Sequence, residues 1–149
     1  MDLVRVLAFD HWANRETVRA LRQSSMPRAV AVFAHVVAIN ELWLSRVVGG
    51  NVESAWPDWS VDLAASRLAT AFENWSAILG GLGAGGPTRT FDYRNRMGEK
   101  CTNSYLEVAL ELLSHGAHHR GQISLLLRQA GIEPPPSTDF VPALRAGRF

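Results

Sequence analysis

Four long stretches of this chain place apolar residues three and four positions apart, a spacing that commits most of its length to amphipathic helices. The first runs from about Leu3 to Gln23, with Leu7, Trp12, Val18 and Leu21 on one stripe and Arg15, Arg19 and Arg22 on another face. Ser24-Ser25-Met26-Pro27 interrupts it, and Pro27 suits the first turn of a second segment from about Arg28 to Val48. There Val32, His35, Val36, Ile39, Trp43 and Val47 share a stripe, and Gly49-Gly50-Asn51 is the stop. A linker with Trp56-Pro57-Asp58-Trp59 follows, its tryptophans expected to pack it onto the bundle. The third segment, about Val61 to Leu82, has Ser60 as its N-cap and Leu63, Leu68, Phe72, Trp75 and Leu79 on its apolar face. The fourth, about Asn103 to Ala130, carries Leu106, Leu110, Leu113, Ala117, Ile123 and Leu127, and Gly131 closes it.

No strand pattern is long enough to compete with these helices. Thr90-Phe91-Asp92-Tyr93 and Lys100-Cys101-Thr102, either side of Gly98, predict a short hairpin before the last helix. The glycine-rich run from Gly80 to Pro87 reads as a flexible connection, and without a Lys-Ser/Thr pair it is no phosphate-binding loop. Ile132 to Phe149, with Pro134-Pro135-Pro136, is expected to lie extended over the bundle. The predicted architecture is all-α, a four-helix bundle forming a single domain over residues 1–149.

Composition narrows the partners. The 15 basic and 14 acidic residues nearly balance, so the concentrated basic surface that nucleic acid requires is not expected. Cys101 is the only cysteine, which excludes an intrachain disulfide and fits a cytoplasmic setting. The start of the sequence lacks an apolar signal core, and no apolar stretch is expected to span a bilayer, so no membrane partner is expected.

The chemistry lies in the five histidines. His115 and His119 are four apart on one helix, so their rings leave the same face one turn apart and can grip one metal ion. His35 is the histidine midway along a core-facing stripe of another segment, which makes it the third candidate ligand. Spacing alone does not separate such a site from ordinary hydrogen-bonded histidines. Imidazoles that face a core without carboxylate partners favour a metal, because their nitrogens need satisfying. His118 points about 100° away from His119 and should face solvent or a partner. His11 reads as a surface residue or one that supports the site from behind the ligands. Gly116 stands where a His-Glu-x-x-His metalloprotease has its glutamate, so that general base is missing. No Glu-x-x-His pair is present either, which argues for one metal rather than two. Gln122 can orient a ligand or a water, Arg120 can pair with a carboxylate on the bundle or on a substrate, and Gly121 is read as admitting a neighbouring backbone. No catalytic residue can be assigned.

With those residues in hand, the chain resembles the DinB/YfiT-like metalloprotein family over nearly its whole length. His115-Gly116-Ala117-His118-His119-Arg120-Gly121-Gln122 is similar to the family's His-x-x-x-His-Arg-Gly-Gln run, and Phe33 to Trp43 to the segment that supplies the remaining histidine. Asp10-His11-Trp12-Ala13-Asn14 resembles its Trp-Ala-Asn element, and Gly131-Ile132-Glu133-Pro134 with Asp139-Phe140 its usual ending. His118 is a departure, since relatives commonly carry an aromatic such as tyrosine there. The resemblance implies an up-down-down-up bundle, a homodimer, and one divalent ion, zinc or nickel, on three histidines. It also implies a metal-dependent thiol S-transferase or related enzyme that uses a low-molecular-weight thiol. A non-catalytic metal-binding or stress-response protein is the alternative, and a metal-assisted hydrolase would need a base that cannot be assigned. Cys101, placed before the last helix, is not expected to be the reacting thiol.

Overall fold

The computed structural model describes residues 2–50, 52 and 54–149. Met1, Asn51 and Glu53 lie outside the described residues, and with them the Asn51 end of the predicted stop.

Local chemistry sets the helix ends. In α1 (Leu3–Arg22) the Asp2 carboxylate accepts from the Val4 N–H. In α2 (Pro27–Val48) proline takes the first turn, where its missing N–H costs nothing. Ser60 caps α3 (Val61–Gly80) by accepting from the Leu63 N–H. At α4 (Tyr105–Gln129) Ser104 and Glu107 bond each other's backbone N–H groups in a capping box. Gly131, at φ +69°, turns the chain out of α4 in a conformation that favours glycine.

The predicted hairpin is present as β1 (Thr90–Arg94) and β2 (Lys100–Ser104), antiparallel with Tyr93 opposite Cys101. It claims Asn103 and Ser104, which sequence periodicity had given to the last helix. The glycine-rich run keeps Leu82 buried, and Arg89 donates to the Leu82 carbonyl at 2.7 Å.

α1 and α2 each pack against both α3 and α4. One apolar cluster joins the start of α1, the ends of α2 and α3 and the start of α4 through Leu7, Leu44, Trp75, Leu79 and Leu112. The other joins the opposite ends through Leu21, Phe33, Leu68, Ile123 and Leu127. Between these levels Asp10, Asn14 and Arg120 are all buried. Arg120 Nη1 donates to Asp10 Oδ1 at 2.6 Å and to Asn14 Oδ1 at 2.9 Å, while Asn14 Nδ2 donates to Asp10 Oδ2 at 2.9 Å. Burial pushes the Asp10 carboxyl up, and the Arg120 charge and the hydrogen bonds from Arg120 and Asn14 pull it back. Gly116 lies against this pair, where a Cβ would stand 2.8 Å from Asp10 Oδ1 and 2.9 Å from Arg120 Nη1.

Several expectations need correction. The buried stripe of α1 runs through Leu7, Asp10, Asn14, Thr17 and Leu21, leaving Trp12 half-buried beside Phe9 and Phe149. Leu63 on α3 is 44% exposed; on α4, Ile123 and Leu127 are buried as expected, but Leu110 is 52% exposed and Ala117 is exposed too, because the buried face also takes in Gly116 and Arg120. Gly121 faces open space, so the close approach read at that position belongs to Gly116. The final segment is not all extended: α5 (Phe140–Arg145) forms, and Phe140 and Phe149 set their rings on Phe9 at 4.9 and 5.3 Å. α2 is long and apolar enough to cross a membrane by length and composition, contrary to the sequence reading, although 44% of that window is buried within the fold.

The Gly116 contact yields a stability prediction. Gly116→Ala should cost about 1–3 kcal/mol by overpacking, and Asp10→Ala about 3–5 kcal/mol by stranding a buried guanidinium. Urea unfolding measures both, and a Gly116→Ala protein as stable as its parent would contradict the packing described.

Candidate metal centre

The two helices that carry the predicted ligands pack side by side. The His115–His119 spacing on α4 and the position of His35 halfway along α2 bring three imidazoles to one point. His35 and His119 are buried and His115 is half-buried. His115 Nε2 lies 3.2 Å from His35 Nε2 and 3.2 Å from His119 Nε2. Nitrogens bound at ~2.0–2.1 Å to a tetrahedral ion sit about 3.3 Å apart, so this spacing fits a single zinc-sized ion.

The far sides of the rings decide what the near sides can do. His35 Nδ1 is 2.6 Å from the Ala55 carbonyl oxygen, and His119 Nδ1 is 2.7 Å from Gln122 Oε1. Carbonyl oxygens only accept, so both Nδ1 atoms carry the proton and both Nε2 atoms present lone pairs inward. Converging lone pairs repel one another and are satisfied by a shared cation. Among the described residues these three form the group of histidine, cysteine and acidic side chains able to hold an ion, and no carboxylate joins them. Were an ion held here, three protein ligands would leave a coordination position open, as in catalytic rather than structural sites.

Electrostatics agree with neutral rings. Burial lowers His115 to about 4, assisted by the charges of His119, His35 and His118. His35 is also lowered, mainly by burial, against the Ala55 hydrogen bond that raises it.

The candidate supporting residues divide. Gln122 does contact His119, and its Nε2 lies 3.0 Å from Nε2 of the exposed His118, which ties that ring to the site's outer edge. Arg120 pairs with the bundle carboxylate Asp10, the first of its two predicted alternatives. His11 stacks on Phe72 at 4.4 Å between α1 and α3, and none of the described hydrogen bonds joins it to the trio. Cys101 lies on β2, outside the histidine group.

Sequence reasoning missed two contributors. The Ala55 carbonyl orients His35, and the Trp56 ring stacks on His35 with centroids 3.9 Å apart and planes 4° from parallel. A backbone carbonyl has no sequence signature, but Trp56 could have been suspected from its place in the linker that follows the ligand-bearing helix.

The DinB family model matches residues 1–145, nearly the entire chain. This chain belongs to the DinB family. No match emerges among curated proteins or among solved structures. DinB membership accords with the resemblance carried by the sequence motifs and with a histidine trio able to hold a metal, and leaves the reaction open.

Two tests follow from the geometry. His35→Ala, His115→Ala and His119→Ala should each sharply weaken zinc binding in competition with a chromogenic chelator. Gln122→Ala should weaken it roughly 10–100-fold; undiminished affinity in any histidine variant would remove that residue from the ligand set. The second test is pH. An unfolded histidine protonates near 6.5 and folded His115 only near 4, so in that window the unfolded state holds more protons. The metal-free protein should therefore lose stability as pH falls from 6.5 to 4, and His115→Ala should flatten that decline. Thermal melts across the window check the sign, and parallel slopes would refute the assignment.

Proposed function

We propose that this DinB protein binds one divalent ion, zinc or nickel, on His35, His115 and His119 and serves as a metal-dependent thiol S-transferase or related enzyme using a low-molecular-weight thiol. The observation that carries the reading is the convergence of three Nε2 atoms, 3.2 Å apart along both measured edges, with no fourth protein ligand among the described residues. An ion held there supplies the positive charge that lowers the pKa of an incoming thiol, making its thiolate available near neutral pH. The chain's own part is positional. Ala55 and Gln122 fix two rings in the tautomer that presents Nε2, and Trp56 covers one face of His35. A carboxylate base is missing from the described trio, which suits a nucleophile activated by coordination better than a hydrolytic water that needs a base.

The same reading includes the up-down-down-up connectivity. Its support is the pairing of the start of α1 with the ends of α2 and α3 and the start of α4 in one core cluster. It also includes a homodimer in a cytoplasmic setting with no nucleic-acid or membrane partner; the balance of 15 basic and 14 acidic residues supports the absence of a nucleic-acid partner alone.

The experiment has two arms. Untagged protein should carry about one divalent ion per chain by elemental analysis. The loaded protein should then accelerate conjugation of one or more small thiols to electrophiles in a panel, with turnover lost on chelation and restored by the ion. Absence of bound metal would sink the whole proposal. Stoichiometric metal without turnover would favour the non-catalytic binding or stress-response protein.

A further inference from the structure

The last turn of α2 and the turn between β1 and β2 border an open cavity of about 370 Å³. Its polar wall is Ser45, Arg46, Tyr93, Arg94, Asn95 and Arg96. Three arginines therefore line one concavity, and no carboxylate among the described residues lines it. None of the three arginines takes part in an ion pair among the described residues.

The wall is braced without consuming that charge. Arg46 is held over the rings of Trp43 and Tyr93, with Cζ 4.2 and 4.8 Å from their centroids. Arg94 donates to the Gly98 carbonyl at 2.6 Å. Asn95 shapes the turn by accepting from the Met97 and Glu99 N–H groups and donates to the Glu99 carboxylate, which is not among the lining residues, while the Tyr93 hydroxyl donates to Asn103. A bland account covers Arg46, the basic residue in the last turn of α2, because it offsets the negative end of the helix dipole. It does not cover Arg94 and Arg96, which come from a hairpin whose net dipole is small. Like charges gathered at one cavity repel, and a bound anion relieves the repulsion.

We propose that this cavity is a binding subsite for an oxyanion, the carboxylate or phosphate group of a small molecule. Guanidinium forks hold such groups through paired N–H···O bonds.

The test uses the full chain freed of metal by chelation, so its outcome does not depend on the metal site. Inorganic phosphate and the tricarboxylate tricarballylate are titrated separately at low ionic strength, followed by calorimetry and by backbone amide NMR shifts. Saturable binding of at least one probe is expected, with shifts at Arg94, Asn95 and Arg96 and weakening as salt is added. The tighter probe distinguishes a phosphate from a carboxylate ligand. The double variant Arg94→Gln/Arg96→Gln should weaken binding about tenfold or more, whereas Arg128→Gln, on the far end of α4, should leave it unchanged. Both hairpin arginines are exposed, so the double variant should melt like the parent; Arg96→Gln alone gives a milder variant for the same measurement. No saturable binding of either probe, or equal affinity in parent and double variant, overturns the subsite.

Discussion

The buried pair of Asp10 and Arg120, closed by Asn14, is the interaction on which the arrangement of this molecule depends. It crosses from α1 to α4 in the layer between two apolar clusters, where an unpaired charge would be costly. Apolar contacts alone tolerate rotation of a helix by part of a turn, as the competing stripes on α4 illustrate. A directional pair with three hydrogen bonds at 2.6 to 2.9 Å does not. Because Arg120 immediately follows His119, fixing the rotation of α4 at Arg120 also fixes where the two α4 histidines point.

The histidine trio inherits that rigidity and adds its own. α2 supplies His35 from a stretch in which Phe33 to Ala38 are all buried, so its backbone has little freedom to shift. The linker after α2 then returns to the site, placing the Ala55 carbonyl behind the ring and the Trp56 indole on its face. On α4, Gln122 does for His119 what Ala55 does for His35. The result is a set of donors preorganised by hydrogen bonds to atoms that could not themselves bind an ion placed among the rings.

Much of this was legible in the sequence, for identifiable reasons. The helices were, because each carries a long periodic pattern bounded by proline, serine or glycine in positions with a defined backbone role. The His115–His119 pair was, because a four-residue spacing on a helix is a geometric statement. The rotation of α4 was not: Leu110 and Ala117 look interior by apolarity, yet the true interior face includes Gly116 and Arg120. Polar residues at helical spacing in α1, Asp10, Asn14 and Thr17, were the missed clue to that face. α5 escaped because six residues give too few turns for a period, and the prolines ahead of it suggest extended chain. Gly121 and Gly116 were confused because a sequence shows that a glycine is present, not which one has a neighbour.

Gly116 also limits the routes by which this scaffold can change its chemistry. Substituting glutamate there would write the sequence His-Glu-x-x-His across positions 115 to 119, one codon-level replacement from a hydrolytic metallopeptidase signature. The fold closes that route, since the new side chain would begin 2.8 Å from Asp10 Oδ1 and set a second carboxylate against the first. A lineage with this packing could reach hydrolytic chemistry at 116 only after giving up the ion pair that aims its ligands. The signature is thus near in sequence and distant in viable intermediates.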